Sequence, residues 1–344
     1  MFGKMMNNYY YGKSGKGDFR KEDLPQTRRE LFRDTLKTRL SGLCRINLLY
    51  MVVFLPAMIL IMFYFTNLLS VTSNLMMIEQ NDYAGYVEIL KEAEQEVTLS
   101  EADFNAMKNA GINYGDYLDS LILRLLIWLF PCIAITGPFT AGLSYVTRNW
   151  ARDEHAFIWT DFKDAVKANW KQSLVLSVIT GAMPLIVYLG WTFYGRMAQQ
   201  NMIMFVPQVL IVLVALIWAI SITYMHPLAV TYELKMKDLL RNGLLLGIAR
   251  LPMSVGIRLL HCVPALIGAA LIYLWNPMIG MMILFGWYAL IGFGLSRFIT
   301  ASYTNAVFDR FINPRIEGAK VNQGLHTEED EEDEYESGEE GTDN

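Results

Sequence analysis

Cysteine is scarce in this chain. There are three in 344 residues, Cys44, Cys132 and Cys262, and none has C-x-x-C spacing. That excludes a disulfide framework and a zinc site, and the three read as small apolar packing residues. Histidine is equally thin, with four in the chain and no pair at metal-ligand spacing beside a carboxylate. His155 and His326 lie in polar segments, and His226 precedes Pro227 at an expected helix end. There is no H-E-x-x-H, no G-x-S-x-G and no Walker A motif. Gly12-Lys-Ser-Gly-Lys-Gly17 carries P-loop letters without the spacing and reads as a flexible basic segment. These gaps predict a chain that is not an enzyme, with no catalytic residue, no metal and no cofactor. Charge is low as well. Only 18% of residues are charged, against about 25% in an ordinary soluble domain. The net charge of -5, with no basic face, leaves nucleic acid without an attractive surface.

What the chain has in excess is apolar residues, 53% of the total, gathered into runs of the length that crosses a bilayer. Six spans are predicted at Ile46–Leu69, Ser120–Val146, Ser173–Tyr194, Met202–Tyr224, Ser254–Leu274 and Met278–Tyr303. The expected fold is all-α, a polytopic transmembrane helical bundle with cytoplasmic amphipathic helices. With the N-terminus inside, the inner segments 1–45, 147–172, 225–253 and 304–344 hold 23 Lys and Arg. The outer segments 70–119, 195–201 and 275–277 hold 3. Basic residues stay on the cytoplasmic side, so both termini are expected in the cytoplasm of a multi-pass plasma-membrane protein. The charged start is too long for the n-region of a cleavable signal.

The expected organisation is a basic N-terminal segment (1–45), a membrane domain (46–318) and a disordered acidic tail (319–344). Eleven acids and no base lie between positions 328 and 343, and such a run cannot bury enough apolar surface to order itself. Docking of the tail to a basic partner is the sharper alternative. The outer segment 70–119 reads as a small acidic helical cap. Tyr83, Tyr86, Val87, Leu90 and Ala93 recur at helical spacing, Ser100 with Asp103 resembles a capping box, and Gly111 is a plausible stop. In 147–172, Ile158, Phe162, Val166 and Trp170 form a stripe flanked by Trp159. Asp161, Lys163, Asp164, Lys167 and Lys171 take the other positions. That is an amphipathic helix for a membrane surface or a partner, and the five apolar residues are the candidate contact stripe. Segment 225–253 carries a second amphipathic stretch, and its Lys237-Asp238 resembles Lys163-Asp164 enough to suggest a duplicated unit.

No Asp or Glu lies inside the spans once Asp119 is left at an edge. Three bases do: Arg124, Arg258 and Arg297. Each can snorkel to a headgroup region or act as a buried functional charge. Arg258 and His261 share a helix face and are a candidate contact for an anionic group, or a satisfied interhelical contact. Pro131, Gly137-Pro138, Pro184, Pro207 and Pro264 interrupt spans. Gly137 and Pro138 are the candidate broken-helix motif, since transporters build sites from broken helices. Close packing is the alternative.

Ile135-Thr-Gly-Pro-Phe-Thr-Ala-Gly-Leu-Ser-Tyr-Val-Thr-Arg148, with Asp153-Glu154, Asp161-Phe162 and Asn169-Trp170-Lys171, resembles the YesL-like family of bacterial membrane proteins, a domain of unknown function. Met1-Phe-Gly-Lys4 and the pattern Pro227, Tyr232, Lys237-Asp238-Leu-Leu and Leu251-Pro252 fit it too. The likeness covers most of 1–57 and 120–318. In the family pattern, a motif like Asn47-Leu-Leu-Tyr50 followed by Leu55-Pro56 runs almost directly into Gly137-Pro138, whereas here an outer loop intervenes. The resemblance implies an accessory to carbohydrate uptake and no established catalytic residue. Two functions are therefore expected as alternatives. One is a non-enzymatic interaction component that contacts the lipid bilayer and a sugar-transport permease or ATPase. The other is a transporter or channel for a neutral or anionic small solute. Self-association into a homo-oligomer is open in either case.

Overall fold

A computed structural model describes residues 24–97, 99–109 and 114–325. The basic residues before position 24, Gly111, His326 and the acidic tail lie outside them. The described chain is helical, without a strand among the described residues. Six of its helices are long and apolar enough to cross a membrane. It is an all-α polytopic bundle.

Helix α1 (Arg28–Gln80) begins at a reciprocal capping box, in which the Thr27 side chain accepts from the Glu30 amide and the Glu30 carboxylate accepts from the Thr27 amide. Its 53 residues span about 80 Å at 1.5 Å per residue. That far exceeds a hydrocarbon core of about 30 Å. Helices α2 (Tyr83–Glu92) and α3 (Glu101–Asn109) form the cap at the end of the bundle away from the described termini. Asp82 caps α2. The Ser100 hydroxyl accepts from the Asp103 amide at 3.2 Å where α3 begins. Tyr86, Leu90 and Phe104 pack with Ile78 of α1 as a small separate core.

Helices α4 (Tyr114–Trp150) and α5 (Ile158–Ala198) form a long antiparallel hairpin. α4 is central, with contacts to α1, α5, α6 (Phe205–Thr231) and α10 (Phe293–Phe311). The amphipathic segment expected at 147–172, for a membrane surface or a partner, packs part of its apolar stripe within the chain. Residues 147–150 end α4, and residues from Ile158 onward run without a break into the third span. The reason is that its apolar face finds a partner within the chain, with Phe162 and Ala165 buried against the bundle. Gly142 makes room for this, because a Cβ there would meet the Phe162 ring and carbonyl at 2.8 Å.

The second amphipathic stretch does form its own helix, α7 (Met236–Ala249), with Leu239, Gly243 and Gly247 buried. Helix α8 (Leu251–Leu274) packs on α9 (Pro277–Trp287) and on α6. Between α9 and α10 the helix passes through a π-turn at Tyr288–Gly292. One apolar core joins Leu43, Ile46, Tyr50, Leu143, Trp150, Phe162 and Phe298. A second joins Leu176, Tyr224, Met225, Leu228, Leu239 and Phe308. Beyond α10, the chain to Leu325 lies back on the helix ends. Arg28 pairs with Asp309 and bonds Asn322 at 2.9 Å, and Arg152 bonds Gln323. All three cysteines are free.

Candidate anion pocket

Between the two cores lies a cavity of ≈ 100 Å³. Its wall comes from Tyr50 of α1, Leu143 of α4, Thr223 of α6, Arg258 and His261 of α8, and Phe293, Ser296, Arg297 and Thr300 of α10. Arg258 and His261, which the sequence set on one helix face, both line it. The structure adds Arg297, which lines the same cavity as Arg258.

Among the described residues, no hydrogen bond or ion pair holds either guanidinium, and Arg258 Nε is buried without a partner. Thr223 is 1% exposed, and its hydroxyl also lacks a partner. Just behind it, His226 is 2% exposed with Nδ1 unbonded, within electrostatic reach of both arginines. Two neighbouring like charges without a carboxylate are an expensive arrangement. Removing an ion from water costs several kcal/mol before any partner offsets it. Both side chains line the cavity.

Other polar groups around the cavity are already engaged. Thr140 gives its proton to the Thr136 carbonyl at 2.9 Å, so in the 2.9 Å contact with Tyr50 the phenol donates. Thr300 donates to the Ser296 carbonyl at 2.9 Å and so accepts from His261 Nε2 at 3.4 Å. The donors left for a guest are therefore the two guanidiniums and the hydroxyls of Thr223 and Ser296.

The π-turn beside the pocket is held by one side chain. Asn47, fully buried, donates to the carbonyls of Tyr288 at 3.0 Å and Ala289 at 2.7 Å. Its side-chain oxygen accepts from the Gly294 amide at 2.9 Å. These are the backbone groups that a π-turn leaves without regular helical partners. In the sequence Asn47 stands only as part of a motif, and Arg297 as a base able either to snorkel or to act as a buried functional charge. A lone amide in an apolar run is itself a signal, because it is costly there without partners.

The remaining candidates fall elsewhere. Of the stripe, Phe162 is buried in the chain's own core with Ile158 and Val166 packed against it, while Trp159 and Trp170 are exposed. Trp170 borders an open groove of ≈ 1060 Å³ at the end that carries the termini. That groove is larger than the pocket, but it mixes Asp161, Asp164 and Glu233 with Lys171 and Lys235, so it is an open surface of both signs with one acid in excess. Gly137 and Pro138 do not break their helix, since α4 continues through both. Gly137 instead allows close approach, because a Cβ there would collide with the Ser173 carbonyl of α5. Arg124 bonds Ser120 near the other end of α4.

Fold and pocket together define the class as an all-α polytopic membrane bundle with a cationic chamber among its helices. Residues 120–191, the α4–α5 hairpin, match the family model described as "Protein of unknown function, DUF624". The chain is also 27% identical over 127 residues to "Uncharacterized protein YesV" of Bacillus subtilis (strain 168). That alignment takes in 37% of this chain and 60% of the relative, so the match spans less than two thirds of the relative's length. No solved structure matches.

Proposed function

We propose that this chain is a YesL-like protein of the bacterial cytoplasmic membrane, with both termini inside, that binds a small anion in the Arg258–Arg297 pocket and moves it across the bilayer. One observation carries the reading: two arginines line one cavity with no carboxylate within ion-pair distance among the described residues. An intramembrane charge of this kind marks a solute path by default. The bacterial setting rests on the similarity to the Bacillus subtilis relative and on the motif likeness. The orientation rests on the 23 to 3 division of basic residues.

Proteoliposomes test the proposal. Efflux of radiolabelled sulfate, phosphate and formate and of halide should exceed that of protein-free vesicles for at least one ion. Arg297→Gln should remove the excess. Equal rates with and without protein across the panel refute it.

A second reading, an accessory that docks on a sugar-uptake permease or ATPase, is supported by Trp159 and Trp170, which are 63% and 47% exposed on one end of α5. In that reading, carbohydrate belongs to the partner. The pocket itself, at ≈ 100 Å³, is well below the roughly 300 Å³ at which organic-ligand sites begin. Crosslinking followed by mass spectrometry should recover a transport-system subunit through the α5 end and lose it in Trp159→Ala/Trp170→Ala. Recovery of this chain alone would refute it.

A further inference from the structure

We infer that the guest of the pocket is a compact tetrahedral oxyanion carrying two negative charges, of the sulfate or hydrogenphosphate class, rather than a halide, a carboxylate or a sugar phosphate. The inference rests on the anion reading above and adds the chemical class.

Charge is the first constraint. Arg258 and Arg297 bring two positive charges, and the walls bring no carboxylate. Tyr50, Thr223, Ser296 and Thr300 are neutral, and Leu143 and Phe293 are apolar. A monoanion leaves one guanidinium uncompensated in a medium where that costs several kcal/mol. A dianion compensates both.

Shape is the second constraint. A guanidinium presents parallel N–H pairs at the spacing of two oxygens on one centre. Two such forks converging on one chamber suit an ion with four equivalent oxygens on one atom. A spherical halide can accept N–H groups from both forks, but it offers one centre where an oxyanion offers separate oxygens to each donor. The unbonded Thr223 hydroxyl and Arg258 Nε supply further donors to oxygens the forks do not reach.

Size is the third. A volume of ≈ 100 Å³ exceeds the roughly 10–15 Å³ needed for one water. It is also below the roughly 300 Å³ at which organic-ligand sites begin, which favours a single tetrahedral ion over that ion with a sugar or a nucleoside attached.

The same chemistry could reach the pocket as free ion or as the phosphate of a lipid headgroup. The headgroup phosphodiester is a monoanion tethered to two chains, and by the charge argument the free dianion is the guest. The experiment separates the two sources.

The full-length protein is reconstituted into nanodiscs of phosphatidylcholine alone and of phosphatidylcholine with phosphatidylglycerol. Thermal stability is read by intrinsic tryptophan fluorescence as sulfate, phosphate, chloride, nitrate or formate is added at constant ionic strength with gluconate. The expected result is a saturable rise in Tm with sulfate and phosphate in both lipids, and none with the monoanions. Arg258→Gln and Arg297→Gln should abolish the rise. Arg297→Lys keeps the charge without the fork and should weaken sulfate by about tenfold, the loss of one charge-assisted hydrogen bond. It also guards against a Gln variant that fails to fold.

Equal stabilisation by chloride, nitrate or formate overturns the dianion class while leaving an anion pocket in place. Stabilisation by phosphatidylglycerol with no response to free ions assigns the site to a headgroup and overturns the inference. No response to any anion or lipid, with Arg297→Gln no different from the parent protein, overturns the inference and the anion reading together.

Discussion

Replacing Asn47 with Ala is the sharpest test of how the pocket is built. The side chain touches no part of the cavity wall, yet it holds the π-turn immediately before the wall residues of α10. One extra residue in a helical turn rotates everything beyond it by about 100° relative to a continuous α-helix. If 288–292 relaxed to regular α-helix, Phe293, Ser296, Arg297 and Thr300 would leave their present faces together. Asn47 prevents that with three hydrogen bonds to backbone groups. Polar contacts between membrane helices average about 0.6 kcal/mol each, so three sum to about 2 kcal/mol. Orphaning a buried donor or acceptor can cost about 1–3 kcal/mol, which sets an upper range several kcal/mol higher.

The measurement is reversible unfolding in mixed micelles by titration with sodium dodecyl sulfate, followed by far-ultraviolet circular dichroism. Asn47→Ala should lower the unfolding free energy by about 2 kcal/mol or more. It should also weaken sulfate-dependent stabilisation at a temperature where the variant is still folded. Asn47→Asp should not rescue, because a carboxylate cannot donate to the Tyr288 and Ala289 carbonyls. A variant within about 0.5 kcal/mol of the parent protein, the range of an ordinary surface substitution, would refute the idea that Asn47 holds the turn. A destabilised variant with unchanged sulfate response would show that the turn forms without it.

Further substitutions test other joints. Gly137→Ala should destabilise by about 1–3 kcal/mol, the usual cost of overpacking, since its methyl would enter the Ser173 carbonyl. Gly256→Ala, with nothing within 4 Å, should be neutral or mildly stabilising in the same unfolding assay. Phe162→Ala should cost about 3–5 kcal/mol and lower the yield of folded protein, whereas Trp159→Ala and Trp170→Ala should leave unfolding within about 0.5 kcal/mol. A tolerated Phe162→Ala would mean that the stripe does not pack inward. Arg28→Ala should free the chain beyond Asn313, since Arg28 links α1 to both Asp309 and Asn322. Limited trypsin digestion should then cut at Arg315 or Lys320 earlier than in the parent protein, and an unchanged pattern would refute that role.

The spans were legible in the sequence because hydropathy reports where a helix meets lipid. The lengths were not, because a helix does not end where its surroundings become polar. α5 begins at Ile158 rather than Ser173 because residues 158–172 keep an apolar stripe and find a partner in α4. Arg297 shows a different limit. Sequence gives its distance from a helix end but not the direction it faces, and that direction depends on a π-turn whose cause, Asn47, lies 241 residues earlier than its partner Tyr288. Pairing across such a separation leaves no local pattern. Arg258 and His261 were legible as a pair because a three-residue spacing on one helix places both on one face whatever the tertiary structure.

The pocket is better evidence for a ligand than its modest size suggests, because its two most polar residues have nothing to do in the empty protein. Arg28 meets Asp309 and Arg152 meets Glu154 at 3.4 Å, whereas Arg258 and Arg297, like Arg148 and Arg250, have no carboxylate partner among the described residues. Both pairs sit at the end of the bundle near the described termini. Arg297 lies twelve residues before Asp309 on α10, or about 18 Å deeper along the helix at 1.5 Å per residue. There, acids are absent from every span. Removing one arginine from an empty chamber should therefore relieve repulsion rather than break a contact. Arg297→Gln should be at least as stable as the parent protein when gluconate is the only anion, and less stable than it in saturating sulfate. A crossing of that kind separates a binding charge from a structural one. An Arg297→Gln variant that is less stable under both conditions would place the guanidinium in the framework of the fold instead.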